Sequence, residues 1–192
     1  RLEGLALPLA VQVDVRVRQD PVQPGLQIRA GLVLVEGGEG LGVGLLDEIL
    51  RVDHAGEYAA VLIYRAQKAV FEGRKGRDGI AHDLSEMQDQ EAVHLARFER
   101  LLNERRVRPT VMTPLWRIAA SALGAGTALM GEKAAHACTE AVESVIEKHY
   151  ADQIAEIGER DPELAAELKQ FRDEELAHHD HAVEHGSREA PA

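Results

Sequence analysis

A chain of 192 residues has the length of one domain and is long enough to bury a real core. Its net charge of −11 at pH 7 counts against nucleic acid as a partner, because phosphate binding needs a basic footprint that this composition lacks. One cysteine, Cys138, rules out an intramolecular disulfide, and a low aromatic content beside abundant Ala, Leu and Glu favours helices over a β-sandwich.

Residues 1–44 differ from the rest of the chain. Val11, Val13, Val15 and Val17 alternate with Gln12, Asp14, Arg16 and Arg18, a strand pattern that Pro21, Pro24 and Gly25 interrupt. Gly37, Gly38, Gly40, Gly42 and Gly44 lack the spacing of a dinucleotide loop and precede no Lys-Ser/Thr pair, so they make no phosphate loop. The first residues show neither an initiator Met nor a basic region followed by an apolar run, which points to a processed, truncated or miscalled start rather than a secretory signal. The expectation is a leader or linker over 1–44 and one helical domain over 45–192.

From Leu45 the period becomes helical. Leu46, Ile49, Leu50, Asp53, Glu57, Val61 and Tyr64 recur at steps of three and four until Gly73, Gly76 and Gly79. Asp78 is expected to cap a second helix whose stripe is Leu84, Met87, Glu91, His94, Leu95, Phe98 and Leu101. Glu91 and His94 among leucines are costly unless paired or metal-bound. Arg105, Arg106, Arg108, Pro109 and Pro114 end that helix.

The least polar stretch comes next, Leu115–Gly131. It is too short and too rich in glycine to span a bilayer, which takes about 20 apolar residues. Trp116 beside Arg117 suits a segment lying in a membrane interface, whereas Gly124, Gly126 and Gly131 suit a buried helix in close packing. Both readings stand on sequence alone. A third long helix over Glu132–Gly158 places Thr139, Glu143, Ile146, Tyr150 and Ile154 on one face, with His149 beside Tyr150 and Cys138 as a small buried residue. Tyr150 reads as a core tyrosine with a bonded hydroxyl or as a redox-active group. Asp161-Pro162-Glu163 starts the last helix, which carries Leu164, Leu168, Phe171, Glu175 and His178. His179, His181 and His185 are read as solvated or supporting groups, not ligands.

Two features in this series match. Glu91-x-x-His94 returns as Glu175-x-x-His178, and each pair has an upstream glutamate, Glu57 before the first and Glu143 before the second. The copies are offset by 84 to 86 residues (175 − 91 and 143 − 57). Positions i and i+3 of a helix share a side, so each Glu/His pair can bind one ion. Four glutamates and two histidines from four helices form the ligand set of carboxylate-bridged di-iron bundles, and hard carboxylates with imidazole suit iron. The metal candidates are therefore Glu57, Glu91, His94, Glu143, Glu175 and His178, in an all-α, ferritin-like four-helix bundle with an additional short apolar interfacial helix. A ligating His usually donates its other N–H to an acceptor, and Asp53 is the first candidate for that role, ahead of Asp89 and Asp173. Rival readings are a ferritin-like iron-oxidising protein and a non-catalytic bundle that binds lipid or partners.

Asp53-His54-Ala55-Gly56-Glu57-Tyr58, Asp89-Gln90-Glu91 with His94, Arg106-Val107-Arg108-Pro109-Thr110, Leu123-Gly124-Ala125-Gly126-Thr127-Ala128-Leu129, Ala137-Cys138-Thr139, His149-Tyr150 and Phe171-Arg172-Asp173-Glu174-Glu175 with His178-His179-Asp180 together resemble the demethoxyubiquinone hydroxylase family of ubiquinone biosynthesis. The resemblance covers residues 45–192. It implies a peripheral-membrane monooxygenase with two iron ions per chain, which uses O2 to hydroxylate the ring of a polyprenyl benzoquinol. It implies Glu57 and Glu143 as terminal ligands, Glu91 and Glu175 as bridges, and His94 and His178 as one imidazole per iron. His149 and Tyr150 take a role in substrate binding or electron transfer. The implied donor is NADH or a reductase, and other ubiquinone-biosynthesis proteins are implied partners. The implied location is the cytoplasmic face of a bacterial inner membrane or the matrix side of the mitochondrial one. Family members usually continue past these histidines into another apolar helix, and residues 1–44 have no family counterpart.

Overall fold

Where apolar residues change from alternation to steps of three and four, the backbone changes from strand to helix. The computed structural model describes residues 13–18, 25–30 and 41–190. The first of two units, residues 1–41, contains an antiparallel pair, β1 (Val13–Arg18) and β2 (Gly25–Ala30), with Val13 opposite Ala30 and Arg18 opposite Gly25. β1 is the strand that the valine alternation predicts, although Val11 lies outside the described residues. β2 departs from the sequence reading. Gly25 counted there as a breaker, yet Leu26 and Ile28 alternate with Gln27 and Arg29, and Gly25 begins the strand instead of ending one.

The second unit, residues 42–191, holds α1 (Leu41–Phe71), α2 (Asp78–Glu104), α3 (Thr113–Met130), α4 (Glu132–Ile157), α5 (Pro162–Glu184) and a 3-10 turn over Ser187–Glu189. α1 begins before the expected Leu45, so Gly42 and Gly44 lie within a helix. It ends before Gly73 and Gly76, whose φ of +73° and +76° suit glycine far better than a residue with a Cβ. Gly79 falls inside α2. Asp78 is the first residue of α2 and not its cap: Arg77 holds that position without a side-chain cap bond, and Asp78 contributes only its charge to the first turn. Asp161 does cap α5, its carboxylate accepting the Leu164 N–H at 3.1 Å with Pro162 behind it.

Side-chain bonds link four helices in a closed cycle. Lys68 of α1 donates to Ser85 of α2, Arg97 of α2 to Glu167 of α5, Arg172 of α5 to Glu147 of α4, and Gln153 of α4 to Asp53 of α1. Inside that ring lie Leu50, Ile63, Leu84, Phe98, Tyr150, Ile157, Leu168 and Phe171, all buried. This is a four-helix bundle of two helical pairs, and it leaves α3 outside the ring.

α3 has one packed face and one exposed face. Ala120, Gly124 and Ala128 are buried at steps of four, and a Cβ on Gly124 would stand 2.4 Å from the Ile63 carbonyl oxygen of α1. Gly126 has nothing within 4 Å and Gly131 ends the helix at φ +117°, so Gly124 alone of the three serves close packing. The other face leaves Leu115, Ile118, Leu123, Leu129 and Met130 exposed. Among the described residues no helix is long and apolar enough to cross a membrane.

Candidate metal centre

The helical repeat delivers one glutamate from α1 and one from α4, and a Glu/His pair from each of α2 and α5, to the middle of the bundle. Glu57, Glu91, Glu143 and Glu175 are fully buried, and His94 and His178 are nearly so. Their donor atoms form two groups in which all lie within 4.8 Å of one another: Glu57, Glu91, His94 and Glu175 in one, Glu91, Glu143, Glu175 and His178 in the other. Glu91 and Glu175 belong to both. Each offers one oxygen to each side: Glu91 Oε2 is 3.4 Å from His94 Nδ1 and its Oε1 is 3.0 Å from His178 Nδ1. Glu175 does the same at 3.1 and 3.5 Å. Glu57 faces only His94, at 3.7 Å, and Glu143 only His178, at 3.8 Å.

Nine side-chain atoms of these six residues, including both imidazole Nδ1 atoms, are buried without a hydrogen-bond partner. Buried polar groups are normally bonded, so this many orphans converging on one place need a common partner. Donors held about 2.1 Å from a shared first-row divalent ion stand roughly 3.0–3.4 Å apart, close to most of the separations here. Each group of four could hold a metal ion, and the donor set fits one.

The far ring nitrogens fix the tautomers. His94 Nε2 donates to Glu174 Oε2 at 2.6 Å, and His178 Nε2 donates to Gln90 Oε1, leaving Nδ1 of both rings aimed at the carboxylates. The expected supports are elsewhere. Asp53 is buried, but its Oδ1 accepts from Gln153 Nε2 at 2.7 Å and it reaches neither imidazole. Asp173 pairs on the surface with Lys169, and Asp89 is exposed. The physical reason is that each ring's outer edge faces the opposite helix of its pair, so the residue beside it is the neighbour of the other half's Glu. A sequence signal was available: Gln90 and Glu174 each sit directly before the shared glutamates.

Charge is partitioned unevenly. Burial, reinforced by the Glu175 charge, pushes the Glu143 carboxyl far up; burial also pushes Glu57 up, against a contact with His94 that pulls the other way. Burial would raise Glu91 too, but His178 and His94 outweigh it and hold that carboxyl at about 2. Burial would lower both imidazoles, yet Glu175 with Glu57 and Glu91 lifts His94 well up, and Glu175 with Glu91 lifts His178 to about 9. Without metal, the pocket therefore holds protons where cations would otherwise sit.

Tyr150 is buried, and its hydroxyl donates to Glu57 Oε1; burial pushes the phenol up. The Phe171 ring lies 4.2 Å from the His94 ring and closes the wall. His149, partly buried and pushed down by that burial, lines with Glu57, Tyr150 and Ile146 a cavity of about 20 Å³, room for about one water.

A family model described as "Ubiquinone biosynthesis protein COQ7" matches residues 44–192. The 3-demethoxyubiquinol 3-hydroxylase of Rhodospirillum rubrum is 51% identical over 148 residues, which covers 77% of this chain and 68% of that protein. The NADPH-dependent 3-demethoxyubiquinone 3-hydroxylase, mitochondrial, of Mus musculus is 52% identical over 151 residues, with the same coverage. The 5-demethoxyubiquinone hydroxylase, mitochondrial, of Saccharomyces cerevisiae is 42% identical over 157 residues, 74% of this chain and 66% of that one.

Proposed function

This chain belongs to the COQ7 family of ubiquinone biosynthesis proteins, and from that membership we propose that it is a di-iron monooxygenase hydroxylating the ring of a polyprenyl demethoxy-benzoquinol with O2. It is an enzyme, a hydroxylase of ubiquinone biosynthesis. The finer reading is supported by one observation above the rest: nine orphaned donor atoms arranged as two groups that share Glu91 and Glu175. In this reading Glu57, Glu91, His94 and Glu175 would hold one iron, and Glu91, Glu143, Glu175 and His178 would hold the other. Iron held there would supply the binding and activation of O2 that no protein side chain can provide.

The protein's own part is placement and shielding. Glu174 and Gln90 orient the imidazoles, Tyr150 fixes the Glu57 carboxylate, and Phe171 with Phe98 keeps water from the His94 side. His149 and Tyr150 border the small cavity beside Glu57, and in this reading they meet the substrate or pass electrons. The exposed apolar face of α3 docks on the membrane surface that holds so apolar a substrate, making the protein peripheral to an inner membrane. Electrons come from a reduced nicotinamide or a reductase; the mouse relative is named NADPH-dependent. Residues 45–192 carry this activity, with residues 1–44 as a leader or linker.

The test is to measure iron in the full chain, then add dithionite, O2 and a short-chain demethoxyquinol and follow product mass. About two irons per chain and a product heavier by one oxygen are expected. Bound iron that is oxidised by O2 without hydroxylated product would replace this reading with ferroxidase chemistry, and folded protein without iron affinity would refute the ligand set.

A further inference from the structure

A second group of donors lies on the same helices but shares no residue with the centre above. His181, in the last turn of α5, and His185, the residue at its C-terminal cap, are four positions apart, the spacing by which one helix face presents two imidazoles to one ion. Asp83 reaches them from α2, and donor atoms of the three lie within 4.8 Å of one another. His181 Nε2 is buried and has no hydrogen-bond partner, although Asp83 Oδ2 is only 3.4 Å away. That contact lacks the geometry of a hydrogen bond. Its length is that of two donors on one tetrahedral ion, about 3.4 Å when each is about 2.1 Å from the metal.

The ring of His185 is already oriented. Its Nδ1–H donates to the His181 carbonyl at 2.8 Å, which leaves the Nε2 lone pair for a ligand. The His181 and His185 rings stack at 4.0 Å, which brings the two imidazoles to one place. His136 of α4, 5% exposed, closes the buried side with its ring 5.4 Å from that of His185. Burial and the neighbouring histidines push His136 down to about 4, so it adds an imidazole without adding positive charge.

We propose that Asp83, His181 and His185, backed by His136, form a separate site for a late first-row divalent cation of the zinc class, tying α2 to the last turn of α5. Two imidazoles to one carboxylate make it nitrogen-rich, where the bundle centre is oxygen-rich, so the two select different metals. The site is independent of the proposed hydroxylase reading.

The test is zinc binding to the full chain by equilibrium dialysis with elemental analysis, on the wild type, His185→Ala and Asp83→Asn. Both altered residues are at or near the surface, and unchanged helicity confirms that the variants fold. The expected result is about one zinc per chain fewer in each variant, with the remaining metal unchanged because Glu57, Glu91, Glu143 and Glu175 are intact. Cobalt substitution should show tetrahedral absorption in the wild type that both variants lose. Equal zinc in all three proteins, or a loss in His185→Ala but not in Asp83→Asn, would overturn the site. Failure of the bundle centre to bind metal would leave this difference standing, so the two readings fail separately.

Discussion

Replacing Glu91 by Gln should cost both metal sites at once, whereas Glu57→Gln or Glu143→Gln should cost one. Glu91 presents an oxygen to each imidazole, at 3.4 and 3.0 Å, while Glu57 and Glu143 each face a single histidine. An ion at a hundred times its Kd stabilises the fold by about 2.7 kcal/mol. At roughly 2–4 °C per kcal/mol for a chain of this size, metal should raise the wild-type melting temperature by about 10–20 °C when two ions bind. The single-site variants should keep about half of that rise and Glu91→Gln almost none. The metal-free proteins should differ in the opposite sense. Glu91 is the carboxylate held ionised at about 2 by His178 and His94, so neutralising it leaves Glu175 as the one remaining glutamate that faces both imidazoles and should destabilise the metal-free fold. Glu57 and Glu143 are pushed up by burial and already neutral, so their Gln variants should melt close to wild type without metal. Anaerobic thermal melts with and without Fe2+ read both effects. A Glu91→Gln protein that keeps as much of the metal shift as Glu57→Gln, or metal-free variants that are all equally destabilised, would refute the bridging geometry and the charge partition respectively.

Gly124→Ala should destabilise the fold by about 1–3 kcal/mol in urea, because its Cβ would meet the Ile63 carbonyl oxygen at 2.4 Å and backbone must move; an unchanged midpoint would mean that α3 does not pack as described. Asp53 is a buried acid whose carboxyl burial raises to about 8, so its contribution to stability is fullest below about pH 4 and is lost as pH rises towards 8. Asp53→Asn keeps the acceptor for Gln153 and should remove that slope, gaining up to about 5 kcal/mol at pH 8 in metal-free protein; parallel wild-type and variant profiles would contradict it. Ile118 and Leu129 are exposed by 67% and 66% on the free face of α3, and each is worth about 1.5–3 kcal/mol when buried. Changing both to Asp should weaken binding to phospholipid vesicles by tenfold or more at unchanged helicity, and undiminished binding would show that another surface docks.

The bundle was legible because its signals are periodic. Apolar residues at three- and four-residue steps marked four long helices, and polar residues repeated inside those stripes, Glu91 with His94 and Glu175 with His178, marked where they meet. Convergence of all six side chains follows from that repeat. Helix ends were less legible: Leu41 starts α1 among glycines that read as linker, and Asp78 looks like a cap but sits one residue inside α2, since terminal geometry depends on local φ and ψ more than on residue type. The supports of the imidazoles were misplaced for another reason. Asp53 shares the stripe of Glu57 in one dimension, but the outer ring edges face across the bundle, and only the packing of α2 against α5 shows which residues lie there. His136, His181 and His185 were invisible as a group because they meet only when α4 packs on α5.

That cross-bundle support has a consequence for the chemistry of the centre. Each shared glutamate is preceded by the residue that holds the imidazole of the opposite half: Gln90, before Glu91, holds His178, and Glu174, before Glu175, holds His94. A single turn of helix thus sets a bridge on one side and a ring orientation on the other, so the two halves cannot be tuned independently. The sequence repeat makes the centre nearly symmetric in its direct donors, and the supports break the symmetry. His94 donates to a carboxylate, which increases the electron density it can pass to a metal, whereas His178 donates to a neutral amide oxygen. Tyr150 adds to the same imbalance, since its hydroxyl draws on the Glu57 carboxylate and α1 offers no such group to Glu143 among the described residues. The small cavity beside Glu57, Tyr150 and His149 also lies on that side. The two halves of a duplicated frame are therefore chemically distinct: the Glu57/His94 half carries the phenol, the carboxylate support and the small cavity, and the Glu143/His178 half is supported by a neutral amide.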